Sequence, residues 1–322
     1  MNILHLKYAA EVARTGSLRK ASENLFIGQP NLSRAVKELE QSLGITIFKR
    51  VPRGMVPTPE GEEFLRYANR ILAQIDEVER LYQKSAPARQ RFSISVPRAS
   101  YISDAFVRFS QSIDPDVPAE LFYKETNAMR AIKNIVEADY RLGIIRYAEN
   151  FERYFRDLLE EKGLTHDLVT QFRYVLLLSK DHPLADRDDL CYDDLKPYTE
   201  IAHADPFVPF LSLSTVRQQE LPGDIDKRIY VFERSSQFEL LSENTSTFMW
   251  VSAVPERLLE RYGLVQKTCI DTARVYCDVL IHSQDYRLTD LDQRFVRELF
   301  RSKERILDPF SPSPEARTPR GF

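Results

Sequence analysis

The 322 residues predict an α+β chain of several domains: a winged helix-turn-helix head, one long helix and an α/β body. Three observations carry that expectation. Apolar residues at helical spacing, broken by a glycine-bearing turn, fill the start of the chain. A helical pattern without proline then runs from Pro59 to Pro87. Beyond it, short apolar strands alternate with helical segments, the pattern of parallel α/β layers.

Charge divides along the same lines. The whole chain carries 45 Lys/Arg against 48 Asp/Glu, a net −3. Residues 1–58 hold nine against four (+5), 59–86 four against six (−2), and 87–322 hold 32 against 38 (−6). A basic head on an acidic body points to a polyanion partner at one end only. A hydrophobic fraction of 43% supports buried cores. No apolar run is long enough to span a bilayer, and the first twenty residues show no signal-peptide core, so the expected location is cytoplasmic. In that compartment the sequons at Asn31 and Asn244 are chance matches. Cys191, Cys269 and Cys277 are too scattered for a disulfide framework or zinc site, and no GxGxxG or GxxxxGK[ST] pattern occurs. No cofactor and no metal are expected.

Leu4, Leu6, Ala9, Ala10, Val12 and Ala13 predict a first helix ending near Gly16. Ser17 sits as the N-cap of a second, which bears Leu18, Ala21, Ser22 and Leu25. Phe26-Ile27-Gly28 breaks it. A third helix starts at Gln29-Pro30, where proline needs no donor, and ends at Gly44. Leu32, Val36, Leu39 and Leu43 mark its inner side; Gln29, Asn31, Ser33, Arg34 and Lys37 mark the other. That is the layout of a helix-turn-helix. Ile45 to Phe48 predicts a short strand and Met55 to Thr58 its partner, giving a wing with Lys49, Arg50 and Arg53 around its tip. Ser17-Leu18-Arg19-Lys20 also matches the Ser-x-x-Lys of penicillin-binding enzymes, but a capping serine without an oxyanion hole does not suit that chemistry.

Gly16-Ser17-Leu18, Ala21, Leu25, Gln29-Pro30, Leu32-Ser33-Arg34, Leu39-Glu40, Leu43-Gly44, Phe48-Lys49-Arg50 and Pro57-Thr58-Pro59-Glu60-Gly61 together resemble the N-terminal pattern of LysR-type transcriptional regulators. Ser22 stands where that family favours a second alanine, and Ile27-Gly28 where it often has Val-Ser; neither touches the polar face. The expected partner is double-stranded DNA. Gln29, Pro30, Asn31, Ser33, Arg34 and Lys37 are its expected contacts, with Arg50 and Arg53 on the wing and Ser17 beside a phosphate.

Thr58-Pro59 caps the long helix, and Glu60, Glu62 and Glu63 suit its first turn. Phe64, Ala68, Ile71, Ile75, Val78 and Tyr82 form a ragged heptad stripe. A helix over 59–84 is roughly 39 Å long, too long to bury that stripe within one small winged domain. The stripe either packs against the same chain's body or pairs with a second copy, and pairing with a second copy is the expected arrangement. In the family this segment is the dimerisation linker, which implies a homodimer and a tetramer built from it.

In the body, Phe92 to Val96, Glu120 to Lys124, Leu142 to Ile145, Tyr174 to Ser179, Arg228 to Phe232 and Val251 to Val254 read as strands, with a late strand through Val275, Cys277, Val279 and Ile281. Ser100–Ser110, Met129–Glu137 and Leu291–Phe300 read as helices. The resemblance implies two α/β subdomains similar to periplasmic solute-binding proteins, about 91–163 plus 269–308 and about 164–268, within an effector domain of 87–308. His182-Pro183-Leu184-Ala185 matches a common family tetrapeptide.

Open parallel sheets bind ligands beyond the carboxyl ends of their strands. This places Ser100, Tyr101, Thr126, Asn127 and Arg146 at a cleft, with Ala202 and His203 on the facing edge. Helix starts at 100 and 127 favour an anionic group, and Arg146 suits a carboxylate. An unknown small-molecule effector is the expected second partner. Where the family has a glycine-containing segment, this chain has Phe248-Met249-Trp250. Either these residues are core or they reshape the cleft, as does the aromatic Asp205–Phe210 loop.

Two other functions compete with a ligand-responsive regulator. A thiol-based redox sensor would use Cys269 and Cys277, although Cys277 falls in an inward strand register. An enzyme with a DNA-binding head would need a constellation that His5, His166, His182, His203 and His282 do not form, since neither HExxH nor GxSxG occurs. The four prolines of Pro309–Phe322 suggest a disordered tail.

Overall fold

The computed structural model describes residues 2–52, 54–82, 90–205, 207, 209 and 225–307. Arg53, half of the Asp205–Phe210 loop and the 309–322 tail therefore lie outside the described residues. The chain forms two units, 1–87 and 88–322.

The first unit opens with α1 (Ile3–Thr15), capped by the Asn2 side chain, which accepts from the Leu4 amide at 2.9 Å. In α2 (Leu18–Asn24) the Ser17 hydroxyl accepts from the Lys20 amide. In α3 (Gln29–Leu43), Pro30 occupies the first turn and Gly44 ends the helix. Leu6, Ala9, Val12, Ala21, Leu32, Val36 and Leu39 interlock as one core. The carboxylate of Glu40 accepts from the amides of Ile47 (2.8 Å) and Phe48 (3.1 Å), fixing where the chain leaves α3.

The wing differs from expectation. Its strands are β1 (Phe48–Val51) and β2 (Gly54–Pro57), so residues 45–47 are not strand, and Lys49 and Arg50 lie within β1 rather than at the tip. The Glu40 anchor holds Ile47 before pairing begins. The wing is seated on the end of α1 by a Met55 amide to Gly16 carbonyl bond of 2.8 Å, and a Cβ on Gly54 would overlap that same carbonyl.

Thr58 starts α4 (Pro59–Tyr82): its hydroxyl accepts from the Gly61 amide at 2.9 Å and donates to the Thr46 carbonyl. Here too the structure corrects the sequence reading. Leu65 and Ala68 are buried in the head core, and Phe64, Ile71 and Leu72 pack against it. The winged domain thus buries the first half of the stripe, because α4 lies along α1. Farther along, Val78 is 53% exposed.

The second unit contains two five-stranded sheets. In chain order its elements are β3 (Gln90–Val96), α5 (Ser100–Gln111), β4 (Ala119–Glu125), α6 (Ala128–Glu137), β5 (Leu142–Ala148), α7 (Glu152–Glu161) and β6 (Leu164–Phe172). The chain continues through β7 (Val175–Ser179), α8 (Tyr192–Leu195), β8 (Thr199–His203), β9 (Arg228–Val231), α9 (Arg234–Glu243), β10 (Thr247–Val251), α10 (Glu256–Tyr262) and β11 (Leu264–Lys267). It closes with β12 (Tyr276–Ser283) and α11 (Asp290–Ile306).

The first sheet runs β4-β3-β5-β12-β6 and the second β11-β7-β10-β8-β9. Both are mixed rather than purely parallel: β12 is antiparallel to β5 and β6, and β7 to β10 and β11. Two boundaries shift accordingly. Leu164–Phe172 stays in the first sheet through its ladder with β12, so the chain first crosses at Arg173-Tyr174 rather than after residue 163. Cys269 bridges to Leu190 and packs in the second half, so the return crossing follows it.

Other differences are local. The strand expected at Val251–Val254 is instead Thr247–Val251, and it contains the bulky triplet itself. Phe248 and Met249 are core. In β3, Phe92, Ile94 and Val96 pack against α5 and α11, while the serines between them are buried and satisfied: Asn134 donates to Ser95 (2.7 Å) and the Arg141 amide to Ser93 (3.0 Å).

Candidate functional site

Two surfaces answer to the expected partners. On the head, α3 buries Leu32, Ala35, Val36 and Leu39 and exposes Gln29, Pro30, Asn31, Arg34 and Lys37, with Ser33 half-buried. The 3.6-residue period produces this division, and the C-terminal end is set by Gly44. Lys49 and Arg50 are exposed on β1. None of Arg34, Lys37, Lys49 or Arg50 makes an ion pair with a described residue, so their charge is uncompensated at close range. Ser17 is occupied as a cap. Behind this surface Glu11 accepts from Arg14 (2.7 and 2.8 Å) and Asn24 (2.7 Å), tying α1 to α2; these bonds hold its carboxyl down at about 2.

In the body a cleft lies between the two sheets, with about 310 Å³ of empty space including its mouth. Of the residues expected there, Ser100, Arg146 and His203 line it. Tyr101, Thr126 and Ala202 do not. Tyr101 is fully buried, and its hydroxyl donates to Asp278 at 2.6 Å. Thr126 is buried at the end of β4 with its amide on the Val96 carbonyl, and Ala202 is buried in β8 opposite Tyr230. Asn127 caps α6 and donates to the Asp205 carbonyl at 3.1 Å, which makes it a positioning residue.

Arg98 and Arg234 also line the cleft, and sequence reasoning missed both. Arg98 follows β3 and Arg234 follows β9. The strand-end rule extended to every parallel strand would have found them. Arg98 donates to Asp205 Oδ1 and to the Phe232 carbonyl, both at 2.8 Å. Arg130 reaches the other Asp205 oxygen at 3.2 Å. Arg234 donates to Ser100 (2.7 Å), Ser103 (2.9 Å) and Glu125 (3.3 Å). These bonds cross between the halves, and the start of α5 thus faces a guanidinium rather than a free anion site.

Arg146 binds Asp278 through two bonds of 2.7 Å, and its guanidinium carbon lies 4.6 Å from the Phe172 ring centroid. This pair lies within one half and is buried. Removing one partner from such a pair costs about 3–5 kcal/mol. Burial first, then the nearby Arg98 and Arg234, lower the His203 pKa to about 3 and keep its ring neutral. Burial pushes Glu125 up, opposed by Arg234 and Arg98. Trp250 reaches the cleft lining, which answers the question its bulk raised; Tyr174 and Gln237 lie beside it.

The thiols are set apart from both surfaces. Cys277 is buried in β12 and its pKa is raised by burial to about 11, while burial also raises Cys269 in the other half. Among the described residues no group of His, Cys, Asp and Glu is arranged to hold a metal, and no helix is long and apolar enough to cross a membrane.

Residues 3–62 match the family model described as a bacterial regulatory helix-turn-helix protein of the lysR family. The regulator AlsR of Bacillus subtilis is 26% identical over 267 residues, covering 82% of this chain and 83% of AlsR. MetR of Salmonella typhimurium is 27% identical over 311 residues, covering 92% and 90%. Full-length LysG of Corynebacterium glutamicum, solved with bound effector Arg, shares the fold at a TM-score of 0.58. It is 15% identical and covers 97% of this chain and all of LysG.

Proposed function

The chain belongs to the LysR-type transcriptional regulators, a helix-turn-helix head followed by an effector-binding domain, and we propose how its own residues perform that role. Helix α3 enters the major groove and presents Gln29, Asn31, Ser33 and Arg34 to bases, while Lys37 and the wing cations Lys49, Arg50 and Arg53 meet phosphates and the adjacent minor groove. Ser17 and Pro30 lie at the margin of this contact. The observation that supports it most is the uncovered polar and basic face of α3 above one whose Leu32, Ala35, Val36 and Leu39 are buried, although Leu43, expected on that inner side, is exposed.

A second copy pairs along α4 beyond the head core, where Val78 is exposed, to give a homodimer, and dimers associate as tetramers, in the cytoplasm. Two-fold pairing would match two half-sites on one duplex. A small molecule in the body's cleft binds one arrangement of the paired effector domains better than another and thereby shifts how the heads meet their sites. No chemical step is assigned to the chain.

The test is selection of bound duplexes from a random pool by the full chain, followed by affinity measurements on the selected duplex at several salt concentrations. Affinity should fall steeply with salt. Arg34→Ala should cost about 1–3 kcal/mol on that duplex and little on unrelated DNA, whereas Lys37→Ala should weaken both alike. Failure to enrich any sequence would defeat the proposal.

A further inference from the structure

Hydrogen-bonding capacity in the cleft is unbalanced. Arg98, Arg146 and Arg234 bring three guanidinium groups to it, and each is met by a carboxylate of the same chain: Asp205, Asp278 and Glu125 respectively. These pairs are unlike one another. Arg146 and Asp278 are bidentate, buried and within one half, so their separation is strongly disfavoured. The other two cross between the halves with one carboxylate bond each, 2.8 Å for Arg98 and 3.3 Å for Arg234, beside neutral bonds from Arg98 to the Phe232 carbonyl and from Arg234 to Ser100 and Ser103. A carboxylate arriving in the cleft can therefore exchange with Asp205 or Glu125 at moderate cost and make the two parallel bonds that neither of them makes there.

The same cleft holds unmet demand of the opposite kind. His203 Nδ1, Gln237 Oε1 and Trp250 Nε1 are buried and have no partner among the described residues, and all three residues line the cleft. An indole N–H only donates, so Trp250 requires an acceptor. The neutral His203 ring has one donor and one acceptor nitrogen and its buried Nδ1 is unmet; taken as the acceptor of the two, Nδ1 requires a donor. An ammonium group supplies one, but three nearby guanidinium groups repel a cation. A hydroxyl supplies one without that penalty. Buried polar groups left unmet are costly, so a ligand that meets them binds about tenfold better for each.

We propose that the effector accepted by this cleft is a small hydroxycarboxylate, its carboxylate taking Arg98 and Arg234 from Asp205 and Glu125 and its hydroxyl donating to His203. The proposal rests on the effector-regulated reading above and deepens it. Asp205 and Glu125 become internal stand-ins for the ligand. Because both of their pairs join the two halves, occupancy changes what holds the halves together, which is the differential binding that regulation requires. The space enclosed by the cleft itself is only about 30 Å³, so a ligand enters by displacing Asp205 and Glu125 from their arginines.

The full-length chain is titrated calorimetrically with lactate, malate and citrate, with propionate and succinate as analogues lacking the hydroxyl and lactamide as the analogue lacking the charge. At least one hydroxy acid should bind, its deoxy analogue at least about tenfold more weakly, and lactamide not measurably. Asp205→Asn, which removes the internal competitor while keeping its shape, should tighten binding. Trp250→Phe, which keeps a ring but removes the N–H, should weaken it about tenfold. Equal binding of deoxy acids or amide, an unchanged affinity in Asp205→Asn, or no binding by any of the hydroxy acids overturns the proposal. Duplex binding in the same samples separates the two levels. If the chain holds its selected duplex but ignores the acids, the ligand class is wrong and the regulator reading stands; if it selects no duplex, that reading falls as well.

Discussion

His203 sits where burial and the charges of Arg98, Arg234 and Arg146 all act against its protonated form, and that has a consequence for stability. Its folded pKa of about 3 lies below the 6.5 of an unperturbed histidine, so between those values the unfolded chain binds the proton more readily. The stabilisation is complete above pH 6.5 and is lost as pH falls, by up to about 1.4 kcal/mol per unit. Burial lowers His182 in the same direction, whereas Glu125 is raised and works the opposite way at lower pH. Urea unfolding monitored through Trp250 should show a falling midpoint from pH 7 to pH 5. His203→Phe should flatten part of that fall and leave the His182 share. A midpoint in the wild type that is level across this range would show that His203 is hydrated and free to protonate.

Helix α4 and the turns around it show how a contact fixes an element's place. Gly61 lies in the first turn of α4, and a Cβ there would overlap the Ile47 carbonyl, backbone that cannot yield cheaply. Gly44 ends α3 with φ +71 but has nothing near its missing Cβ. Gly44→Ala should therefore cost only the left-handed backbone penalty of about 1–2 kcal/mol. Gly61→Ala should cost more, because α4 must move off the head and take Leu65 and Ala68 out of the core. Thermal melts of the two variants rank them, and equal losses would mean that α4 is not seated on Ile47. The three head helices were legible because their signals are local: Ser17 and Gly44 cap, Pro30 starts a helix, and Leu32, Val36 and Leu39 repeat at helical spacing. The first wing strand was misplaced by three residues, and the second by one, because Glu40, seven residues earlier, holds Ile47 through its side chain. In the body, β6 escaped notice because it is an edge strand of mixed polarity, and its partner among the described residues, β12, lies more than a hundred residues later in the chain. The cleft was half legible for the same reason. Ser100, Arg146 and His203 follow from strand ends, but Arg98 and Arg234 acquire their meaning from Asp205 and Ser100, contacts made across 107 and 134 positions.

Across the whole second unit, the chain crosses between sheets twice, and side chains supply the remaining ties. Asp104, on α5 of the first half, is the most heavily engaged of them. It is only 2% exposed in its side chain and accepts from Arg108 (3.1 Å), Ser302 (3.0 Å) and Arg305 in its own half. Arg257, on α10 of the second half, reaches it at 2.9 and 3.0 Å. Burial would raise the Asp104 pKa, but Ser302, Arg108 and Arg257 outweigh it and hold the group ionised. Asp104→Ala would leave Arg108, Arg257 and Arg305 mutually repelling around a small void. Those arginines are 41–47% exposed, so water screens part of that repulsion and the loss should fall below the 3–5 kcal/mol typical of a fully buried pair. The chain's single tryptophan, Trp250, lies on β10 in the opposite half and does not touch this cluster, so its fluorescence reports whether the halves unfold together. If Arg257 couples them, Asp104→Ala must lower the urea midpoint seen by Trp250 although the substitution is in the other half. Asp104→Asn should lower it less, since the amide oxygen still accepts one guanidinium bond. An unmoved Trp250 midpoint, alongside a loss of ellipticity from the first half, would mean that the halves unfold independently and that the ties across the cleft carry no coupling.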